Sequence, residues 1–256
     1  MSRLLNSVVA AIVVLAELPA NAADVPVRPA NPNQAADNQT SDDHVLVYSG
    51  FDAATIKSYT GYVGATFAPY ANLDTSGFRF SVFGATGVYQ YPTTIGTASR
   101  VKGTYELADF LVGYGFNRDG FSAKLQVGLD VQNHDLSPFD PNNPVHGTSV
   151  GPKVQGDFYA NPTERSMLFG VASYTTTFRS YYAEFKAGYD FFSVKELYFG
   201  PQVIAEGNER YDQWRVGAHL TGLKFGKGEF GLAGGYLNDS QSGTGAYGMA
   251  TFDITF

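Results

Sequence analysis

The chain has 256 residues, a net formal charge of -7 and no cysteine. The absence of cysteine excludes a disulfide framework, a thiol nucleophile and a thiolate metal site. The acidic balance argues against nucleic acid as a partner, since phosphates require clustered Lys and Arg side chains.

The N-terminal segment has the features of a secretory signal peptide, predicted over residues 1–22. Arg3 precedes an apolar run over residues 8–16, Pro19 interrupts it, and small residues lead to expected cleavage near Ala22 or Ala23. The run is too short to cross a bilayer as a helix. Residues 23–43 are rich in Pro, Asn, Gln and Asp, which predicts a disordered periplasmic linker.

From residue 44 to residue 256, short alternating segments are separated by clusters of Gly, Pro, Asn and Asp. This pattern predicts an all-β fold, and we expect a transmembrane antiparallel up-and-down β-barrel of about twelve strands. The alternative is a soluble β-sandwich, which needs neither an aromatic belt nor an aromatic residue at the end of its last strand. The predicted strands are 44–53, 56–68, 77–90, 99–116, 120–133, 147–160, 166–178, 181–191, 196–206, 210–223, 228–237 and 245–256.

Two of these strands depart from simple alternation. The fourth changes phase near residues 106–109, which predicts a β-bulge, and the phase of the seventh is left open. Tyr114 and Tyr189 close two descending strands, so we expect them at equivalent depth in an aromatic girdle near the periplasmic rim.

The last strand alternates clearly. Phe252, Ile254 and Phe256 are expected to face lipid, and the residues between them to face the lumen. This ending resembles the signal read by the barrel-assembly machinery of Gram-negative bacteria, which predicts the outer membrane with both termini in the periplasm. Connections on the periplasmic side should then be short, and the longest, 134–146, is extracellular. A tight extracellular turn at Arg179 and Ser180 does not fit that rule.

The same parity places polar residues inside the barrel. A lumen of twelve strands is compatible with a salt-bridged plug, a narrow polar pore or a small-ligand cavity. Tyr182, Tyr198 and Tyr247 are compatible with stacking on sugar rings or with filling space. The predicted lumen cluster is Lys124, Asp130, Lys153, Asp157, Glu184, Lys186, Gln202, Glu206, Arg215 and His219, with Arg79, Asp190 and Asp253 of the same parity.

Catalytic and metal chemistry have weak support. His146 and Ser149 lie close together at a strand start, which allows a hydrolase base and nucleophile, although no third group is evident. His134, Asp135 and Asp140 allow a cation site, but a solvated acidic loop explains them as well. We therefore expect no catalytic residue, no cofactor and no metal.

Several motifs carry a resemblance to a known family. They are Gly207-Asn208-Glu209-Arg210-Tyr211-Asp212-Gln213-Trp214-Arg215-Val216-Gly217-Ala218-His219-Leu220-Thr221, Tyr48-Ser49-Gly50-Phe51-Asp52, Gly200-Pro201, Gly234-Gly235-Tyr236-Leu237 and Ala246-Tyr247-Gly248. With them, residues 44–256 resemble the cellulose biosynthesis protein BcsS family.

The resemblance implies a non-enzymatic outer-membrane accessory of cellulose production or export. Expected partners are outer-membrane lipid, the barrel-assembly machinery, and cellulose or cellulose-synthase complex components. Two alternatives remain open: a narrow pore for small solutes, and an outer-membrane lipid hydrolase or acyltransferase.

Overall fold

The structure is a computed structural model that describes residues 43–192, 194 and 196–256. The predicted signal peptide, 1–22, and the predicted linker up to residue 42 lie outside the described residues.

Twelve antiparallel strands form one closed barrel. Each strand pairs with its neighbours in sequence, and β1 pairs with β12, so no sheet edge is left open. The predicted twelve-stranded up-and-down barrel is confirmed. The strands are β1 (Val45–Ala54), β2 (Ser58–Phe67), β3 (Gly77–Pro92), β4 (Arg100–Arg118), β5 (Phe121–Ser137), β6 (Gly147–Thr163), β7 (Ser166–Thr175), β8 (Tyr181–Tyr189), β9 (Tyr198–Gly207), β10 (Asp212–Phe225), β11 (Gly228–Asp239) and β12 (Gly243–Thr255).

The two faces of the wall differ in chemistry because successive side chains of a strand point to opposite faces. Large apolar residues such as Phe110, Leu125 and Val150 point outward and are each at least 60% exposed. Asp109, Lys124 and Lys153 of the same strands point inward and are buried. An apolar exterior around a polar interior is the pattern of a barrel surrounded by lipid. No helix in the described part of the chain is long and apolar enough to cross a bilayer.

The predicted bulge at residues 106–109 is wrong. β4 pairs in continuous register with both β3 and β5 through these residues. Tyr105, Leu107 and Leu111 all point inward and are buried together with Asp109. Apolar residues occupy these inward positions because this part of the lumen is a packed core. A mixture of polar and apolar residues on one face breaks the simple alternation in the sequence, and for that reason it suggested a bulge.

An irregularity lies instead in β10, where the register with β11 shifts between Thr221 and Leu223. Gly222 occupies the extra position with a φ of 98°, and a Cβ atom there would lie 1.8 Å from the carbonyl oxygen of Glu196. Only glycine fits this bulge, because both its backbone conformation and the close approach of the neighbouring chain exclude a side chain.

The predicted seventh strand, 166–178, is shorter than expected. β7 ends at Thr175, and a 3-10 turn over Thr177–Arg179 precedes β8. Phe178 and Arg179 both have positive φ, 48° and 53°. The connection therefore spans residues 176–180 and is longer than the predicted tight turn at Arg179 and Ser180.

Connection lengths do not distinguish the two ends of the barrel as cleanly as expected. The end that holds residues 44 and 256, called the terminal end below, has connections 68–76, 119–120, 164–165, 190–197 and 226–227. The opposite end, called the loop end, has connections 55–57, 93–99, 138–146, 176–180, 208–211 and 240–242. The segments 68–76 and 138–146 are equally long, since β5 extends to Ser137 and shortens the predicted loop 134–146.

Candidate functional site

The inward-facing residues fill the barrel. The predicted lumen residues point into the interior and are buried, except that the side chain of Lys186 is 15% exposed. Arg79 and Asp190 are also buried, and Asp253 is half-buried. The ten residues lie on β5, β6, β8, β9 and β10: Lys124, Asp130, Lys153, Asp157, Glu184, Lys186, Gln202, Glu206, Arg215 and His219.

Arg215 of β10 is the centre of the most connected ionic group. Its guanidinium pairs with Asp52 of β1 through Nη1, and Nη2 lies 2.6 Å from Oε1 of Glu206 on β9. Nε donates to Oε1 of Gln213 at 3.0 Å. The guanidinium carbon also lies 5.4 Å from the centre of the Tyr247 ring. The cluster therefore links β1 with β9 and β10 through buried, charge-assisted hydrogen bonds.

The three lumen lysines are paired as well. Lys153 donates to Asp109 at 2.6 Å, which joins β6 to β4. Lys124 lies 3.4 Å from Asp157, its direct partner across the β5–β6 ladder. Lys186 lies 2.8 Å from Glu184 on its own strand. A pore needs charges that face water, whereas these charges face each other at short range.

Asp130 and His219 are held by neutral partners. Asp130 accepts hydrogen bonds from Gln132 at 3.1 Å and from Thr175 at 3.2 Å. The ring nitrogens of His219 lie 2.8 Å from Thr221 Oγ1 and 3.1 Å from the carbonyl oxygen of Ala187. Both residues therefore join the hydrogen-bonded packing of the interior.

Aromatic side chains pack among these polar groups in the interior. Phe83 packs against Tyr48 and Tyr62 with ring centres 6.3 Å and 5.9 Å apart. Tyr182, Tyr198 and Tyr247 are each no more than 5% exposed. The Tyr182 hydroxyl donates to Glu184, the Tyr247 hydroxyl donates to Gln202, and the Tyr198 hydroxyl accepts from Asn161. These three rings are thus core side chains, without an open face for a sugar.

The segment 68–76 covers the terminal end. Its Ala68 and Leu73 belong to the buried core cluster. Arg79 donates to the carbonyl oxygens of Asn72, Leu73 and Thr75, and Asn117 donates to Leu73 at 2.8 Å. The segment 68–76 is therefore fixed to the barrel wall at this end by buried hydrogen bonds and apolar contacts.

The loop end contains an open recess. Its volume is about 550 Å³ with the open mouth included. Three tyrosines, Tyr89, Tyr91 and Tyr211, contribute to its lining, and burial raises the pKa of the Tyr211 hydroxyl well above its ordinary value. The other lining residues are Ile56, Ser58, Gln90, His134, Asn143, Val145, Asn208, Arg210, Gln213, Asp239, Gln241 and Ser242.

His146 and Ser149 do not form the hydrogen bond that a hydrolase would need. Nδ1 of His146 lies 2.6 Å from the carbonyl oxygen of Asn143, and its ring packs edge-on against Phe139. Ser149 is the third residue of β6 and points toward the interior, while His146 is exposed in the preceding loop. The geometry does not assemble a nucleophile and a base at this place.

The three candidate cation ligands are separated. His134 points into the barrel and Asp135 is exposed, because adjacent residues of β5 face opposite sides of the wall. Asp140 accepts hydrogen bonds from the Tyr91 hydroxyl and the Asn142 amide. Within residues 43–192, 194 and 196–256, no three His, Asp or Glu side chains come together as a metal site.

Sequence reasoning missed two acidic partners and the tyrosines of the recess. Asp52 follows Tyr48 and Gly50 at the inward parity of β1, so the alternation of β1 could have predicted that it points into the lumen. Asp109 was hidden by the incorrect bulge. Tyr89, Tyr91 and Tyr211 come from two distant parts of the chain, and nothing in the sequence indicates that they converge.

A closed barrel of twelve strands with an apolar outer face and a filled polar interior defines an outer-membrane β-barrel of porin-like fold. The model of the family described as "Cellulose biosynthesis protein BcsS" matches residues 46–256. The chain belongs to this family, which confirms the resemblance seen in the sequence, and it is a cellulose biosynthesis protein with a barrel fold.

Solved barrels are similar in fold at low identity. The KdgM porin is 11% identical, with 82% of this chain and 99% of that chain covered and a TM-score of 0.45. The Pseudomonas putida toluene transporter TodX is 7% identical, with 88% and 92% covered and a TM-score of 0.44. No curated protein matches the chain. At these identities and scores, the likenesses carry no argument about ligands or transport.

Proposed function

We propose that this protein is a non-enzymatic accessory of cellulose production that acts as an anchored barrel in the outer membrane, and not as a conduit for the polymer. Both termini face the periplasm in this proposal, and the loop end faces outward. Residues 1–22 direct export, and residues 23–43 link the barrel to the periplasm. Its partners are outer-membrane lipid, the barrel-assembly machinery, and cellulose or components of the cellulose-synthase complex.

The observation that carries the proposal is the filled lumen. Arg215 bridges two carboxylates, Lys153 and Lys124 are paired, and aromatic rings pack between them. Passage of a sugar chain would require these buried ion pairs to separate, and unpaired buried charges are costly. The segment 68–76 adds a second obstruction at the terminal end. A fixed barrel with a closed interior fits an anchor or a docking platform better than a channel.

Conductance separates the anchor from a pore. We expect the purified barrel in planar lipid bilayers to give no steady ionic current above that of protein-free membrane, because its interior is packed. Heat-modifiable gel mobility of the same purified protein, measured after its insertion into lipid vesicles, verifies that the barrel is folded. Reproducible single-channel steps from such a sample would contradict the closed interior and favour the pore.

The role in cellulose production is tested in cells. Deletion of the gene should lower deposited cellulose, measured as glucose released by cellulase, and the wild-type gene should restore it. The His146→Ala and Ser149→Ala variants should restore it equally, because the two side chains do not interact. Unchanged cellulose after deletion would contradict the proposed role. If both variants fold but fail to restore cellulose, a catalytic role of His146 and Ser149 would be favoured instead.

A further inference from the structure

One basic side chain and three aromatic rings form a group on the outer face of the terminal end. They are Arg165 in the connection before β7, Tyr189 at the end of β8, Phe191 in the connection after it, and Phe199 of β9. We propose that this group binds the phosphate-bearing headgroup of a membrane phospholipid, with Arg165 on the phosphate and the rings beside the acyl chains. The inference rests on the proposed function, since it gives the anchored barrel a defined contact with its membrane.

The three rings lie on the face of the wall that meets lipid. Tyr189 and Phe199 are direct partners across the β8–β9 ladder and are 41% and 44% exposed. The Phe191 ring meets both of them edge-on, with ring centres 5.0 Å and 6.4 Å apart. Phe191 itself is 63% exposed, so the rings continue the apolar exterior to the end of the barrel. Aromatic side chains at this level are typical of the membrane–water interface.

Arg165 is held against these rings by the protein. Its guanidinium carbon lies 5.2 Å from the centre of the Tyr189 ring, within the range of a cation–π contact. Nη2 donates to the carbonyl oxygen of Asp190, and the Asp190 amide donates to the carbonyl oxygen of Arg165 at 2.8 Å. A cation that is positioned before binding loses little conformational entropy when a ligand arrives.

The chemistry of a guanidinium suits a phosphate. Its five N–H donors form a planar fork that matches two oxygens of a phosphate, so the side chain can keep its contacts with the protein while it binds an anion. Arg165 is exposed, and the rings beside it are exposed as well. The group therefore presents a cation next to an apolar surface, which is the arrangement that a headgroup phosphate and the acyl chains attached to it require.

Charge favours a phospholipid over a soluble anion. Arg165 shares its two-residue connection with Glu164, which is also exposed, so this connection carries no net charge. It therefore provides no positive field that would collect anions from solution. Binding must instead combine one phosphate contact with burial of apolar chains against the rings. In the proposed orientation this end meets the periplasmic leaflet, which consists of phospholipid.

The binding test uses the full mature barrel in detergent with added phosphatidylethanolamine, and native mass spectrometry counts the lipid that each barrel retains. We expect a retained phospholipid whose occupancy falls at least about fivefold in Arg165→Gln, because the charge-assisted contact with the phosphate is lost. Phe191→Ala should lower the occupancy too, since the acyl chains lose an aromatic contact. Arg118→Gln is the matched control, because Arg118 is exposed at the same end of the barrel but lies outside the group.

Gel mobility verifies that each variant is folded, and three probes identify what is recognised. A diacylglycerol with the same chains lacks the phosphate and should be retained weakly. Inorganic phosphate lacks the chains and should not displace the phospholipid. Phosphatidylglycerol should bind no better than phosphatidylethanolamine, since the connection has no net charge.

Equal occupancy in wild type and Arg165→Gln, equal retention of diacylglycerol, displacement by inorganic phosphate, or markedly tighter binding of phosphatidylglycerol would each overturn the inference. Gene deletion and complementation measure cellulose independently of bound lipid. Cellulose that is lost on deletion and restored by the gene, with no retained phospholipid, would defeat the lipid site alone. Retained phospholipid with unaltered cellulose after deletion would defeat the accessory role alone.

Discussion

Arg215→Met should destabilise the barrel by about 3–5 kcal/mol, because it leaves the carboxylates of Asp52 and Glu206 buried without their cation. Both carboxylates are at most 4% exposed in their side chains, so water cannot replace the lost partner. The measurement is urea unfolding of the barrel in lipid vesicles, followed by the loss of the fast-migrating folded band on unheated gels. The midpoint should move to markedly lower urea.

Two control variants test whether the loss of stability comes from the unpaired carboxylates. Arg100→Met removes an exposed arginine at the start of β4 and should leave the midpoint nearly unchanged. The triple variant Asp52→Asn, Glu206→Gln, Arg215→Met removes all three charges and should recover much of the loss, since neutral replacement of a whole buried ionic group costs far less than breaking it. If the single variant were as stable as wild type, the ion cluster would have no part in holding the interior.

Removal of residues 252–256 should abolish the folded barrel. These residues pair with positions 46–49 of β1 and with the first residues of β11. Phe256 also accepts backbone hydrogen bonds from His44 at 2.6 Å and Val45 at 3.0 Å. Without them the cylinder has an open edge in lipid, where unpaired backbone groups cost several kcal/mol each. We expect no heat-modifiable band after refolding and no accumulation in the outer membrane.

Phe256→Ala separates closure of the barrel from recognition by the assembly machinery. The variant retains the same backbone hydrogen bonds and removes only a ring that is 48% exposed. We propose that Phe252, Ile254 and Phe256 form the signal for the barrel-assembly machinery. The variant should then refold in detergent as wild type does but accumulate less in the outer membrane of cells, as measured by immunoblotting of membrane fractions. Equal accumulation of the two proteins would contradict a signal that depends on the last ring.

The two ends of the barrel differ in structure. At the terminal end, Arg79 and Asn117 hold the segment 68–76 across the opening. At the loop end, connections between strands surround an open space instead. In the proposed orientation, the open end faces the cell exterior, where deposited polymer accumulates.

Alternation in the sequence determined the wall of the barrel by itself. A period of two assigns each side chain of a strand to one face, so parity alone predicted that Lys153, Glu206 and Arg215 point inward. The twelve strands followed from the turn residues between alternating segments. Parity failed in β4, because Leu107 and Leu111 are inward residues of a packed interior and not of a wet pore.

Only the tertiary structure decided which inward residues meet. Arg215 and Asp52 are separated by 163 positions in the chain and become partners because closure between β1 and β12 brings β1 near β10. The stacked rings of Tyr89 and Tyr91 likewise need Gly103 of β4 beneath Tyr89, and the recess beside them is lined by connections far apart in sequence. A local pattern contains the direction of each side chain, but contacts across the lumen depend on how the whole cylinder closes.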